Sequence, residues 1–173
     1  MTGCASLSGS SSGKAVTVSE QLDRGDAARR ASMRLVVAGL EADEASDRAQ
    51  ALNEYEAALR VDALNPYAYL ALARHLAVGR QPERSFPYLE QAESLFGSEM
   101  DRDAEIEAHL LGIRGMALWT QGYAGKATPF LERAQQLAPD LWGDQWLSAR
   151  ELLGTRRAEV QGVQLQPRES DRV

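Results

Sequence analysis

The amino-acid sequence predicts an all-α protein. Alanine, leucine, arginine, glutamate and glutamine dominate the middle of the chain, where apolar residues recur at spacings of three and four, the pattern of helices that bury one face. Glycine, proline, asparagine and aspartate interrupt this pattern repeatedly, as they do at helix ends. No segment alternates strictly between apolar and polar residues, so no β-sheet is expected.

The composition suits a single folded domain. A chain of 173 residues is long enough to bury a core without metal or disulfide cross-links. Its net charge of −6 and its pI of about 5.0 disfavour binding to nucleic acid and to anionic lipid headgroups. No stretch approaches the roughly 18 apolar residues of a membrane span, and the single cysteine excludes an intramolecular disulfide.

Composition also divides the chain into three parts. Residues 1–16 are mainly serine, glycine and alanine and predict a flexible tether. Residues 17–154 carry the helical pattern, and residues 155–173 form a polar tail that is expected to be loose because Gly162 and Pro167 interrupt it.

Capping residues mark the first helix boundaries. Thr17 with Glu20 three residues later fits a capping box, in which each side chain satisfies a free backbone amide at a helix start. Structure is therefore expected to begin there. The stretch Glu44–Asp47 separates a first helix from a second, with Ser46 as the expected cap.

Later boundaries combine caps with glycine and proline. Asn65 before Pro66 predicts a cap followed by proline at the first helical position, where its missing N–H costs nothing. Gly97 is expected to stop one helix, and Ser98 with Asp101 to start the next. The remaining breaks are predicted at Gly79–Pro82, Gln121–Gly125, Ala138–Asp140 and Gly154.

Three segments of the helical part share one spacing of small and large residues, with intervals of 4, 3 and 5. The offset from Ala51 to Ser85 is 34 residues, and the offset from Ser85 to Ala127 is 42, which equals 34 plus an insert of 8. The three sets are Ala51, Tyr55, Ala58 and Ala63; Ser85, Leu89, Ala92 and Gly97; and Ala127, Leu131, Ala134 and Pro139.

This spacing resembles the tetratricopeptide repeat (TPR), a family whose 34-residue unit is a helix–turn–helix with small, large and small residues and then proline in its second helix. In the first helices, Gly39, Ala73 and Gly115 provide the small residues that let the second helix approach closely. Of the three sets, only the third keeps the proline, and the insert Met100–Glu107 is expected to lengthen the first helix of the third unit.

The resemblance covers residues 32–141. It implies a TPR-like α-solenoid of about three helix–turn–helix repeats, followed by a capping helix from Trp142 to Leu153. It also implies that the protein binds other proteins, because such arrays use the inner face of each first helix as a groove. The predicted groove residues are Val36, Leu40, Tyr67, Leu70, Arg74, His109, Met116 and Trp119.

The predicted groove is apolar and aromatic, with Arg74 as its main cation. The lysines and asparagines with which some family members hold a partner's C-terminal carboxylate are absent from it. We expect an extended or helical segment of a protein partner, anchored by Tyr67, Met116 and Trp119. The alternative is that the chain's own first helix or its Trp142–Leu147 segment covers this face.

No residue pattern predicts catalysis, a metal ion or a cofactor. His75 and His109 lie on different predicted helices without an acidic or cysteine partner at metal-ligand spacing. Asp101–Glu107 lacks the turn glycine of a calcium loop, and Gly122–Thr128 lacks the preceding strand of a phosphate loop. The sequence therefore predicts neither an enzyme nor a small-molecule substrate.

The first four residues, MTGC, resemble the end of a bacterial lipobox, in which one larger apolar residue and then small residues precede an invariant cysteine. The resemblance implies cleavage before Cys4 and a diacylglyceryl group on its sulfur. Such a lipid holds a soluble domain to a bilayer without a spanning helix. Ala5 and Ser6 are not the aspartate that tends to retain lipoproteins at the inner membrane, which favours the outer membrane.

Together these features predict a TPR lipoprotein at the periplasmic face of the outer membrane. It would be a protein–protein interaction scaffold that docks a partner segment while an envelope machine is assembled. The charged start and apolar core of a signal peptide are not among the residues before Cys4. The alternative therefore stays open that Met1 is the true start, that Cys4 is an ordinary thiol and that the protein is a cytoplasmic TPR chaperone or adaptor for a secreted client.

Overall fold

The computed structural model describes residues 17–99 and 103–154. Over these residues the chain is all-helical, with no strand, and this confirms the all-α prediction. The predicted tether, residues 1–16, and the predicted tail, residues 155–173, lie outside the described residues. The α-helices are α1 (Ala27–Glu44), α2 (Arg48–Val61), α3 (Pro66–Ala77), α4 (Ser85–Glu99), α5 (Ala104–Thr120), α6 (Ala124–Leu137), α7 (Pro139–Trp142) and α8 (Ala149–Leu153).

Most of the predicted breaks coincide with helix ends. At the start of α3, the Asn65 side chain accepts a hydrogen bond from the Tyr67 N–H at 3.1 Å, and Pro66 occupies the first helical position. The other breaks that the sequence located correctly are Gly79–Pro82, Gln121–Gly125, Ala138–Asp140 and Gly154.

Among the described helices, none is both long enough and apolar enough to cross a membrane.

The helix that was predicted to start at Thr17 is only one short turn. The Thr17 N–H donates to the Glu20 carboxylate at 3.5 Å, but the helix that follows is a 3₁₀ helix of four residues, Val18–Gln21. The first long helix begins after Asp26, whose carboxylate accepts from the Arg29 N–H at 2.8 Å.

The predicted Ser46 cap is wrong, because Asp47 caps α2. The Asp47 carboxylate accepts from the Gln50 N–H at 3.0 Å. Ser46 instead takes a left-handed conformation with φ of 64°. In that conformation it closes the turn after α1, and Asp47 becomes the residue at the helix entrance.

The predicted stop at Gly97 and start at Ser98 are also wrong. α4 continues through both positions to Glu99, because Phe96 is fully buried and its packing holds the last turn against the weak helix propensity of glycine. α5 begins after Asp103, whose carboxylate accepts from the Ile106 N–H at 2.8 Å. The predicted Asp101 lies outside the described residues.

The expected lengthening of the first helix in the third unit is seen relative to the second unit but not to the first. α5 has 17 residues, compared with 12 in α3 and 18 in α1. Residues 104–107 of the insert belong to α5, and residues 100–102 lie outside the described residues.

Consecutive helices pack most extensively in three pairs, α1 with α2, α3 with α4 and α5 with α6. A Cβ atom at Gly39 would lie 2.4 Å from the Tyr55 ring, and one at Gly115 would lie 2.7 Å from the Leu131 side chain. Glycine at these positions therefore permits the close approach of the paired helices. The positions that repeat with the spacing are fully buried in all three pairs: Ala51, Ser85 and Ala127, and Ala58, Ala92 and Ala134.

The three pairs stack so that their first helices are neighbours. α3 lies between α1 and α5 and contacts both, while α2 contacts α3 and α4 contacts α5. The eight predicted groove residues lie on these three adjacent first helices, and the surface that they form on α1, α3 and α5 is called the inner face below.

The predicted capping helix from Trp142 to Leu153 is wrong, because this part of the chain is not one continuous helix. α7 ends at Trp142, residues 143–148 are not helical, and α8 begins at Ala149. Trp142 and Leu147 are both fully buried. Positions five residues apart lie about 140° apart around a helix, so a continuous helix could not bury both side chains against the same surface.

Substitution of Gly39 by alanine tests the close approach of α1 and α2. The new methyl group would overlap the Tyr55 ring, and such overpacking costs about 1–3 kcal/mol. We expect Gly39→Ala to lower the free energy of unfolding measured in urea, although alanine favours the helix by about 1 kcal/mol.

Gly125→Ala is the matched control. A Cβ atom at Gly125 in α6 meets no other atom within 4 Å, so this variant should be as stable as the original protein or slightly more stable. Equal stabilities of the two variants would contradict the packing argument.

Candidate functional site

The eight predicted groove residues lie on the adjacent helices α1, α3 and α5, but the face they form is not open. Seven of them are at most 7% exposed, whereas Trp119 is 51% exposed. Tyr67 was expected to anchor a partner, yet it packs edge-on against Phe96 with 5.1 Å between the ring centroids. Met116, the second expected anchor, is fully buried.

A single stretch of the chain, residues 142–153, covers this face. It follows α6 and crosses from α5 to α3 and then to α1, so it is called the return segment below. The sequence left open whether a partner or the chain's own Trp142–Leu147 segment occupies the face. In the structure, the chain itself occupies it.

The return segment meets α5 at a notch formed by Gly112. A Cβ atom at Gly112 would lie 2.2 Å from the Trp142 ring, so any larger residue would displace the indole. The ring of His109, one turn earlier, lies 6.2 Å from the indole, centroid to centroid. The Trp142 side chain is fully buried, and its indole N–H has no hydrogen-bond acceptor among the described residues.

The return segment meets α3 through a main-chain contact. Arg74 donates a hydrogen bond from Nε to the carbonyl oxygen of Leu147 at 3.0 Å. The Leu147 side chain is fully buried. Arg74 therefore binds the backbone of the segment, while the Leu147 side chain contributes apolar burial.

The return segment meets α1 through α8. The Arg150 N–H donates to the Glu44 carboxylate at 2.8 Å, and the Arg150 guanidinium lies 3.2 Å from the same carboxylate. A Cβ atom at Gly154 would lie 2.5 Å from the Thr17 hydroxyl oxygen. The end of the return segment thus closes against the first residues that the structure describes.

A buried polar cluster centred on Asp43 joins α1, α2 and α3. One carboxylate oxygen of Asp43 accepts from the Tyr55 hydroxyl at 3.0 Å and from the Arg74 guanidinium at 3.2 Å. The other oxygen lies 2.8 Å from Nδ1 of His75. The Asp43, Arg74 and His75 side chains are each less than a tenth exposed.

The contacts within the cluster stabilise the charged forms of Asp43 and Arg74 although both side chains are buried. Burial works to raise the pKa of Asp43, but the hydrogen bond and charge of His75, together with the charge of Arg74, bring that pKa below its usual 3.8. Burial lowers the pKa of Arg74, and the charge of Asp43 opposes this effect. Burial and the nearby Asp43 charge raise the pKa of Tyr55. At neutral pH, Asp43 and Arg74 therefore form a buried ion pair.

Asp43 and the indole site at Gly112 are not among the residues predicted from the sequence. Asp43 follows Val36 and Leu40 at intervals of 4 and 3, so its place on the buried stripe of α1 was readable. Its partner His75 lies 32 residues away in the chain. A search for ligands at short spacing cannot find that contact, because only the packing of α1 against α3 creates it.

Two exposed aromatic residues flank the turn between α5 and α6. Trp119 is 51% exposed and Tyr123 is 52% exposed, and the Lys126 ammonium lies 5.1 Å from the centroid of the Tyr123 ring. Exposed aromatic surface of this kind is typical of protein interaction sites. Trp119 is the predicted groove residue that the return segment leaves accessible.

Two further features of the sequence concern metal binding and lipidation. Within residues 17–99 and 103–154, no three histidine, cysteine, aspartate or glutamate residues are grouped as metal ligands would be. Cys4, the predicted lipidation site, lies outside the described residues.

Comparison with known proteins identifies no relative, since no protein-family model, curated protein or solved structure matches this chain. The TPR-like architecture is therefore a proposal that rests on the residue spacing and on the contacts described above.

Asp43→Asn tests the buried ion pair. The substitution removes the negative charge while leaving Arg74 buried, and breaking such a pair typically costs about 3–5 kcal/mol. We expect the free energy of unfolding in urea at neutral pH to fall by about 3 kcal/mol.

Glu41→Gln provides the control, because it removes an acidic charge from an exposed position of the same helix. Its effect should stay within about 0.5 kcal/mol. If both variants lost equally little stability, the Asp43 cluster would not hold the three helices together.

Proposed function

We propose that this protein is a protein–protein interaction scaffold of the bacterial cell envelope. It is built as a TPR-like α-solenoid with three helix pairs, and a lipid on Cys4 holds it at the periplasmic face of the outer membrane. It docks an extended or helical segment of a protein partner during the assembly of an envelope machine. The proposal gives it no catalytic role and no cofactor.

The observation that carries this proposal is the way the inner face holds a stretch of polypeptide. The return segment places an indole at Gly112, accepts a hydrogen bond from Arg74 at its Leu147 carbonyl oxygen and packs a short helix beside α1. An apolar pocket for an aromatic side chain, combined with a hydrogen bond to the main chain, is how proteins bind segments of other proteins.

The repeated helix contacts support the TPR-like arrangement. The 34-residue offset and its variant of 42 residues relate Gly39, Ala73 and Gly115 on the first helices. Gly39 and Gly115 each meet a large side chain of the second helix, and Ala73 is fully buried. The three helix pairs stack with their first helices adjacent, which is the arrangement with which repeat arrays build a concave binding surface.

The position of Thr17, the first residue that the structure describes, is compatible with a lipid anchor at Cys4. Thr17 lies against Gly154, on the side of the fold where α8 packs on α1. Cys4 precedes Thr17 by 13 residues in the chain, which can span at most about 45 Å. Trp119 belongs to α5, which follows α1 and α3 in the stack of first helices.

Substitution of Cys4 by serine tests the anchor. In the gene expressed with its natural upstream sequence, Cys4→Ser removes the sulfur that would carry the lipid. We expect the protein to move from the outer-membrane fraction to the soluble periplasm, as measured by fractionation and immunoblotting.

The control is Ser6→Ala, which changes a neighbouring residue of the predicted tether and leaves the sulfur in place. Its fractionation should equal that of the unmodified protein. An unchanged distribution of Cys4→Ser would contradict the lipid anchor, and a cytoplasmic location of both variants would favour the chaperone or adaptor.

Trp119 tests partner docking, because its side chain is accessible beside the covered part of the inner face. A photoreactive benzoylphenylalanine at position 119 should cross-link in cells to one envelope protein. The cross-linked product is identified by mass spectrometry after illumination.

The same photoreactive residue at position 64 is the control. Leu64 is 61% exposed and lies in the turn between α2 and α3, outside the inner face. Equal yields of one product from both positions, or no product from position 119, would contradict docking at the inner face.

A further inference from the structure

We propose that the return segment is an internal ligand of the inner face and that a partner protein can displace it. The partner would offer a segment of the same chemistry: a tryptophan, a leucine five residues later in non-helical backbone, and then a short capped helix. This inference rests on the proposed function, since it names the class of partner segment and the device that regulates access. Its first support is the notch at Gly112.

The notch is specific to the third helix pair. The offsets of 34 and 42 residues relate Gly112 to Val36 on α1 and Leu70 on α3, so the first two pairs place a branched apolar side chain where the third has none. Trp142 fills the resulting space, and a Cβ atom there would meet its ring at 2.2 Å. The inner face therefore has one receptor site for a large flat side chain.

The second support is that α3 recognises main chain. Arg74 donates from Nε to the Leu147 carbonyl, while Nη1 of the same guanidinium donates to the Asp43 carboxylate. A contact with a carbonyl oxygen does not depend on the identity of the residue that carries it. Any segment that passes α3 in the same backbone conformation can accept this hydrogen bond.

The third support is that little of the return segment is regular helix. Its helical part, α8, has only five residues, and isolated helices of that length are unstable in water. Gln145 takes a left-handed φ of 60°, which is unfavourable for a residue with a side chain. The buried indole N–H of Trp142 lacks an acceptor among the described residues.

These features indicate that the return segment takes its conformation from its contacts with the inner face. Because the segment is joined to α6 through α7, it competes with any partner at a high effective concentration. A partner segment therefore binds only when its own contacts outweigh that advantage or when Trp142 has left the notch.

A peptide added to the full chain tests this inference. The probe is a fluorescently labelled synthetic peptide with the sequence of residues 139–153, PDLWGDQWLSARELL. Trp142→Ala in the full chain empties the notch, and we expect this variant to bind the peptide at least about 10-fold more tightly than the original chain does, as measured by fluorescence anisotropy.

Two further variants make the result specific. Trp146→Ala removes a tryptophan that is 39% exposed and leaves the notch occupied, so its affinity should equal that of the original chain. Gly112→Ala combined with Trp142→Ala fills the emptied notch with a methyl group and should abolish the gain. If Trp142→Ala alone binds the peptide no more tightly than the original chain, the inference is wrong.

If the Trp142→Ala variant loses its helical circular dichroism signal, amide hydrogen exchange of the original chain tests whether the return segment can leave the inner face. In the original chain, the N–H of Leu152 bonds to Ser148 and that of Gly154 to Arg150, both within or beside α8. We expect these amides to exchange at least 100-fold faster than those in the middle of α3. Exchange at the same rate as α3 would show that the segment leaves only on global unfolding, which would overturn the inference.

The outcomes separate this inference from the proposed function. Peptide binding in solution requires neither the lipid nor the natural partner, so it can succeed even if Cys4→Ser and the cross-linking at position 119 both fail. Conversely, cross-linking at position 119 without peptide binding would retain the scaffold and reject the internal ligand.

Discussion

Asp43 is a carboxylate withdrawn from water at the place where α1, α2 and α3 meet, and the surrounding structure depends on how its charge is balanced. Its two oxygens have partners on both other helices: Tyr55 on α2, and Arg74 and His75 on α3. A buried charge is tolerated only when such partners are in place. The same guanidinium of Arg74 then binds the Leu147 carbonyl, so the ion pair that joins the first two helix pairs also positions the return segment.

The repeat explains why these partners are available. Each pair brings its second helix close through small residues, most directly where Gly39 faces Tyr55. That approach carries the Tyr55 hydroxyl to Asp43, so an apolar packing contact and a polar contact depend on the same side chain. Stacking of the pairs then places α3 beside α1 and supplies Arg74. The local repeat and the long-range cluster are therefore two consequences of one packing arrangement.

The return segment determines how much of the inner face is accessible. An array of three helix pairs has few neighbours to cover its apolar inner face, and here the chain covers that face itself. Of the eight groove residues, Trp119 is the one that the described part of the chain leaves accessible. In the function proposed above, this small exposed aromatic site is available to a partner while the larger site is held in reserve, and the strength with which Trp142 occupies its notch sets the balance between them.

The sequence by itself determined the helical class, the helix pairs and most helix ends, because apolar spacing, caps such as Asn65 and breakers such as Gly154 act over a few residues. It also placed the eight groove residues on the first helices and named the chain's own Trp142–Leu147 segment as one possible cover. Local signals failed where packing overrode them: at Gly97, where buried Phe96 keeps α4 helical, and after Trp142, where the need to bury Leu147 as well breaks a helix. Only the tertiary structure decided that Asp43 meets His75 and that the inner face is filled, because those contacts join residues far apart in the chain and depend on the shape left between three helices.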